Sequence, residues 1–227
     1  MNILAIIPAR GGSKRIPKKN IKDFLGKPII SYSIQSAIDV GLFNEIMVST
    51  DDKEIAEISM IYGASVPFYR SKSNSNDFAS TFDVIEEVIL EYKKNGKEYD
   101  YICCIYPCAP FCNSLNLRLA FELLKKSDFD SVFPVVSFNT PIQKSLKTNN
   151  KRIEMNFPEF KNYRSQDLPI SYFDAGQFYW LNVKNILKNK MIFSENSGCI
   201  ILDELNAQDI DNEIDWKIAE LKYSLKN

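Results

Sequence analysis

Five cations crowd the stretch from Arg10 to Lys19, namely Arg10, Lys14, Arg15, Lys18 and Lys19, with Gly11, Gly12 and Ser13 between the first two. Glycines and a hydroxyl set among cations offer backbone N–H groups and positive charge to a phosphate chain. A solvated basic turn has the same composition, and charge alone does not separate the two. Far along the chain stand six acids with no cation among them: Asp203, Glu204, Asp209, Asp211, Glu213 and Asp215. Against them, Arg10 to Lys27 holds seven cations and one acid, Asp23. In an extended segment Asp209 and Asp211, at i and i+2, point the same way. That suits one hard divalent ion shared with phosphate oxygens. From spacing alone, an acidic helix N-terminus capped by Asp211 or Asn212 explains them equally well.

What is missing narrows the chemistry further. The chain has no histidine, which removes Ser–His and Cys–His nucleophiles and imidazole acid–base work. Catalysis must then run on carboxylates, lysines, a hard metal ion or positioning, which is no handicap for phosphoryl-type transfer. Of the five cysteines, 104, 108 and 112 are four apart. Pro107 and Pro110 break any helix that would align them and no C-x-x-C pair exists, so buried thiols are expected. The basic loop matches neither the P-loop nor the G-x-G-x-x-G motif. A net charge of −1 argues against a general nucleic-acid or anionic-membrane binder. No run approaches a membrane span and the start lacks a cationic leader pattern, so a cytoplasmic protein is expected.

The elements that must position these residues alternate. Ile3 to Ile7 is an apolar run short enough for a buried strand, stopped by Pro8. Pro28 is expected at the first turn of a helix with Ile30, Ile34, Ala37 and Ile38 on one face and Gly41 past its end. Glu45 to Ser49 predicts a strand, followed by a helix capped by Asp51 with Glu54 as its capping-box partner. Val66 to Tyr69 suggests a short strand, and Ser80 with Asp83 a second capping box. Tyr99 to Tyr106 is the next strand. A helix with Leu117, Ala120, Phe121 and Leu124 inward follows, and then a strand over Ser131 to Val136, where Pro134 suggests an edge or bulge. From 137 to about 170 the rhythm breaks, too long for an ordinary connection. Strands return at Gly176 to Leu181 and Cys199 to Leu202, and Ile214, Ile218, Leu221 and Leu225 mark a final helix. At 227 residues this predicts one α/β domain, a doubly wound, mostly parallel Rossmann-like sheet with an irregular inserted arm over 137–175.

Several stretches together resemble the cytidylyltransferases that activate nine-carbon sialic-type acids as CMP-sugars. The A-R-x-x-S-K loop and P-x-K-N of that family are matched by Ala9, Arg10, Ser13, Lys14, Pro17, Lys19 and Asn20. The S-T-D after a strand is matched by Ser49 to Asp51. Arg70 and Asp77 fit the L-R-P segment and its following acid, with Ser71 where proline is usual. Tyr106-Pro107-Cys108-Ala109-Pro110 is similar to Y-P-x-A-P, and Q-D-I-D-x-x-x-D-W at 208–216 to the metal-binding end motif. Gln166-Asp167-Leu168 with Asp174-Ala175-Gly176 resembles the branch acting on pseudaminic acid, although Phe173 stands where that branch usually has histidine. The resemblance runs through essentially the whole chain in order.

The resemblance implies transfer of CMP from CTP to the anomeric hydroxyl of a nonulosonic acid, pseudaminic acid foremost, with pyrophosphate released. It implies that Ala9, Arg10, Gly11, Gly12, Ser13, Lys14, Lys19, Asn20, Arg70, Pro107 and Ala109 hold the nucleotide. Tyr106, Gln166, Asp174 and Gln177 would meet the sugar, and Asp209 and Asp211 would bind Mg²⁺. Arg10, Lys19, Asp209 and Asp211 would carry the catalysis. A homodimer through the arm, one subunit helping to close its partner's sugar site, is also implied. N-acetylneuraminic or legionaminic acid as substrate, or a non-catalytic nucleotide-binding protein, are the alternatives.

Overall fold

A computed structural model describes residues 1–226. Strand β1 (Ile3–Pro8) leads into the basic loop, which closes in a small hairpin of β2 (Asp23–Phe24) and β3 (Lys27–Pro28). Leu25 and Gly26 turn that hairpin at φ 52° and 95°, the backbone signs of a type I′ turn. Pro28 therefore ends a strand rather than opening a helix. Helix α1 (Ile30–Val40) starts two residues later without a side-chain cap. Then come β4 (Glu45–Ser49), α2 (Lys53–Ile61), α3 (Thr81–Lys94), β5 (Tyr101–Ile105), α4 (Ser114–Lys126) and β6 (Ser131–Ser137). The arm contains a hairpin, β7 (Leu146–Asn149) with β8 (Arg152–Met155). Next follow β9 (Tyr172–Asp174), β10 (Phe178–Asn182), α5 (Val183–Asn189), β11 (Ser197–Leu202) and α6 (Glu213–Ser224).

The central sheet runs β11-β6-β10-β5-β1-β4, with β9 also on β6. β1 pairs parallel with β4 and β5, β6 parallel with β11, and β10 antiparallel with both β5 and β6. Five strands thus share one direction, the mostly parallel α/β sheet expected. The alternation of β1 sends Ile3, Ala5 and Ile7 to a core with α1 and α4, and Leu4 and Ile6 to one with α3 and α5. Ser80 and Asp83 form the expected capping box on α3, and Leu117, Ala120, Phe121 and Leu124 are buried.

Several local expectations give way for physical reasons. No strand forms over Val66 to Tyr69; Ser65 makes one bridge to Met47, and Pro67 has no N–H to continue a ladder. Asp52, not Asp51, caps α2 by accepting from the Ile55 N–H, while Glu54 pairs with Lys18. Ile38 lies outward at 40% exposure. Pro134 is inside the sheet rather than at its edge. Val132 faces Trp180 but Val135 faces Asp174, so the pairing slips by three residues opposite Pro134, whose absent donor suits the gap. The strand expected from Gly176 accordingly begins at Phe178. Ile214, Ile218, Leu221 and Leu225 face outward on α6, while Trp216 and Ala219 face in.

At the opposite end of the sheet from the basic loop, Glu45 accepts hydrogen bonds from Tyr92 (2.6 Å), Lys97 (2.8 Å), Tyr99 and Ser65 (3.0 Å each). Burial by itself raises this carboxyl, and the four donors outweigh it, holding it below the ordinary glutamate value. A depressed native value means that the stabilisation is full above the unfolded-state value and is lost as pH falls through the native one. Glu45→Gln is expected to lower the melting temperature at neutral pH and to flatten its fall below about pH 4.5, the ordinary carboxylate range, in thermal scans across pH.

Candidate active-site cleft

The loops after β1, β4 and β5 and the turn before β10 all open at the carboxyl end of the parallel strands, where open α/β sheets bind ligands. The basic loop is held from below. Ala9 is buried and its N–H donates to the Ser49 carbonyl at 2.9 Å, and the Gly11 N–H donates to Asp51 Oδ1 at 2.9 Å. A Cβ on Gly11 would stand 2.7 Å from Asp52 Oδ2, so this close approach needs glycine. Asn20, also buried, donates to the Arg10 carbonyl at 2.9 Å and accepts from the Cys108 thiol at 3.3 Å. Ile16 is buried against Phe24, Ile210 and Trp216, which folds the loop's far half onto the acidic segment.

Between Ala207 and Asn212, both extended, that segment forms no helix or strand, with Ile210 buried at 1% exposure and Asp209 and Asp211 on either side of it. Asn212 caps α6 in a box with Asp215, so neither Asp209 nor Asp211 serves as the cap. The Lys19 ammonium donates to the Ile210 carbonyl at 2.6 Å, and Arg15 pairs with Asp211 at 2.9 Å. Enclosure of the carboxyl in the cleft, and then the like charge of Asp211, push Asp209 above the ordinary aspartate value. Arg10, Ser13, Lys14, Lys19, Asn20, Pro107, Asp209 and Asp211 thus line one cleft of about 220 Å³. Among the described residues no group of three or more His, Cys, Asp or Glu is arranged to hold a metal ion.

A second recess joins the first at Arg10 and Tyr106. Its wall includes Arg70, 8% exposed, whose guanidinium donates to Ser49 Oγ at 3.0 Å and to the Ser49 carbonyl. Burial lowers its pKa, and no carboxylate among the described residues pairs with it. Asp77 bridges Arg10 (2.7 Å) and Lys14 across the mouth; Lys14 and then Arg10 hold its carboxyl below the usual range. A third cavity of about 600 Å³ is lined by Tyr106, Asp174 and mainly apolar side chains, Phe133, Val135 and Phe193 among them. Tyr106 borders all three, its hydroxyl 3.1 Å from Thr81 Oγ1.

Other expected residues take supporting places. Gly11, Gly12 and Ala109 contribute backbone around the cleft rather than lining side chains. Gln177 is 2% exposed and donates to the Asn206 carbonyl at 2.6 Å, while its backbone carbonyl accepts from the Tyr106 N–H at 2.8 Å. Gln166 is exposed in a short turn of the arm, Ser165–Asp167, and lines none of these cavities. Thr81 joins the site without having been singled out for it, and its place one residue after the Ser80 cap of α3 is the sequence signal it carries. Arg15, one of the five cations of the loop, reaches Asp211 rather than standing only as loop charge.

Residues 4–214 match the family described as Cytidylyltransferase. The chain is 42% identical over 229 residues to the pseudaminic acid cytidylyltransferase of Campylobacter jejuni subsp. jejuni serotype O:2, covering 100% of this chain and 98% of that one. It is 33% identical to the CMP-N,N'-diacetyllegionaminic acid synthase of Legionella pneumophila, over 97% of this chain and 95% of that one. In fold it is similar to a CMP:2-keto-3-deoxy-manno-octonic acid synthetase solved with CTP, at a TM-score of 0.73 and 16% identity, with each chain covered in full.

The Asp77 bridge neutralises cations that face the cleft. Asp77→Asn is expected to tighten binding of inorganic pyrophosphate several-fold, measured by titration calorimetry at low salt; unchanged or weaker binding would show that the bridge orders the loop instead.

Proposed function

We propose, given that the chain belongs to the cytidylyltransferase family, that it transfers CMP from CTP to the anomeric hydroxyl of pseudaminic acid. The observation that carries this reading is the meeting, at Tyr106, of a cationic cleft faced by two carboxylates with a mainly apolar cavity large enough for a sugar acid. The full-length likeness to pseudaminic acid cytidylyltransferase is greater than that to the legionaminic acid enzyme. This supports the choice of sugar.

In this reading Arg10, Ser13, Lys14 and Lys19 bind the triphosphate through charge and hydrogen bonds, with Gly12 and Asn20 shaping the loop. The buried Arg70 fork and Thr81 face the base and ribose. Tyr106 and Asp174 meet the sugar, and the turn at Pro107 and Ala109 fixes the direction of Tyr106. The sugar's oxygen forms a bond to the α-phosphorus, the bond to the pyrophosphate oxygen breaks, and the hydroxyl proton passes to water. Lys19, anchored by the Ile210 carbonyl, is placed to meet charge developing on the phosphates.

Asp209 and Asp211 fit a divalent ion such as Mg²⁺. Both are hard oxygen donors, and the burial and like charge that raise Asp209 would be offset by a cation. When bound, such an ion supplies charge neutralisation at the phosphate oxygens.

The arm supports a two-fold homodimer. Leu146, Ile153, Tyr163 and Ile170 are 55% to 69% exposed along it, and Leu168 is its buried anchor, a density of apolar surface that marks an interaction face. Light scattering during gel filtration is expected to give a dimer mass, and a monomer at high concentration would overturn this assembly.

The deciding assay is pyrophosphate release from CTP and Mg²⁺ with pseudaminic, N,N'-diacetyllegionaminic and N-acetylneuraminic acids in parallel. Turnover is expected with the first, and Asp209→Ala is expected to lower kcat by at least a hundredfold, about 2.7 kcal/mol, while the protein stays folded. Turnover with another acid keeps the chemistry and changes the substrate. Silence with all three overturns the reading.

A further inference from the structure

The cations of the basic loop and of the turn after it are not equivalent. Arg10 and Lys14 share Asp77, Lys18 pairs with Glu54, and Lys22 pairs with Glu213 at 2.7 Å. Lys19 donates to the Ile210 carbonyl. Among the described residues, Arg15 alone forms an ion pair with either of the two cleft aspartates, its guanidinium 2.9 Å from Asp211 Oδ1. Arg15, Asp209 and Asp211 line one cleft, so this guanidinium stands on a carboxylate that the proposed function gives to a divalent ion. Both ends of the contact are anchored in one small core. Ile16 follows Arg15 and Ile210 precedes Asp211, each 1% exposed and packed in the same cluster. The backbone positions are therefore fixed, while the two side chains, 69% and 47% exposed, are free to part. Asp209 makes no ion pair among the described residues. Two carboxylates against one guanidinium leave negative charge uncompensated, and a divalent cation compensates it in full. An ion pair so exposed is weak and costs little to open.

We propose that Arg15 is the internal counter-ion of Asp211. It holds that carboxylate until a divalent ion takes its place, and its fork then turns to the phosphates of the nucleotide. Arg15 and the ion thus compete for one carboxylate. The ion and the nucleotide favour each other, because the released guanidinium adds a planar, charged donor where the triphosphate lies. This inference rests on the divalent-ion site and the CTP donor of the proposed function.

The test is ligand binding to the wild-type protein, Arg15→Ala and Lys14→Ala, with no sugar acid present. Mn²⁺ is titrated without nucleotide and followed by the electron paramagnetic resonance signal of the free ion. Arg15→Ala is expected to bind Mn²⁺ about threefold more tightly, the scale of an exposed ion pair. Lys14→Ala, which removes a cleft cation paired with Asp77 instead, is expected to leave that affinity unchanged. Titration calorimetry with CTP in excess Mg²⁺ is expected to show Arg15→Ala binding about tenfold more weakly, the loss of a hydrogen bond to a charged group. The opposite signs are the signature, since a merely structural role would weaken both. Unchanged or weaker Mn²⁺ binding by Arg15→Ala, an equal gain in Lys14→Ala, or unaltered CTP binding by Arg15→Ala would each overturn the inference. Wild-type protein that binds no CTP would overturn the proposed function itself, a failure read before any variant is made.

Discussion

The candidate site depends on the burial of Ile210. Asp209 and Asp211 lie outside any helix or strand, and their charges alone do not fix them against the loop. Among the described residues, the ion pair joining them to it, Arg15 to Asp211, has side chains 69% and 47% exposed, and such pairs contribute about 0–1 kcal/mol. Full burial of Ile210 among Ile16, Phe24 and Trp216 contributes about 1.5–3 kcal/mol, so the apolar contact decides where the segment lies. With Ile210 turned in, its neighbours Asp209 and Asp211 line the cleft. The Lys19 bond to the Ile210 carbonyl then registers the two halves of the cleft. Opposite charges are brought together by a small core beneath them.

A second constraint shapes the neighbouring cavity. β6 is covered on one side by β11 along its length and on the other by β10 and then β9. The slip between those last two falls at Pro134, which has no amide hydrogen to leave unpaired. The three displaced residues, Ala175 to Gln177, form the turn that buries Gln177, brings Gly176 beside Asp209 and aims Asp174. A substitution that restored regular pairing there would lengthen the sheet and remove the turn. The candidate site is built here from an interruption, and the interruption has a sequence cause.

Much of the scaffold was legible because it rests on local chemistry. The strand over Glu45 to Ser49, the Ser80–Asp83 capping box and the inward stripe of α4 each follow from periodicity or side-chain length, and each stands where expected. Pro28 and Asp51 were each assigned the commonest local role of their residue type and were taken up otherwise. Pro28 pairs with Asp23 in a hairpin, and Asp51 accepts from the distant Gly11 N–H. Pro134 lies inside the sheet, but at the interruption that was its other expected place. The outward stripe of α6 shows the same limit, since Trp216 buries more surface than any aliphatic residue of that helix and so set its facing.

The sequence by itself determined the reaction class open to this protein. With no histidine, a Gly-containing basic loop and an i, i+2 aspartate pair, its residues suit phosphoryl-type transfer and exclude histidine-based nucleophilic chemistry. Its motifs, taken in order, were enough to place it in a family. Only the tertiary structure decided that the basic loop and the acidic pair share one cleft, because that meeting spans nearly the whole chain and depends on side chains that carry no chemistry themselves. It likewise decided that Tyr106 borders three cavities and that Tyr179 braces Asp174. Hydrogen bonds across a slipped strand pairing leave no periodic trace, whereas burial patterns do, and the two kinds of information divide along that line.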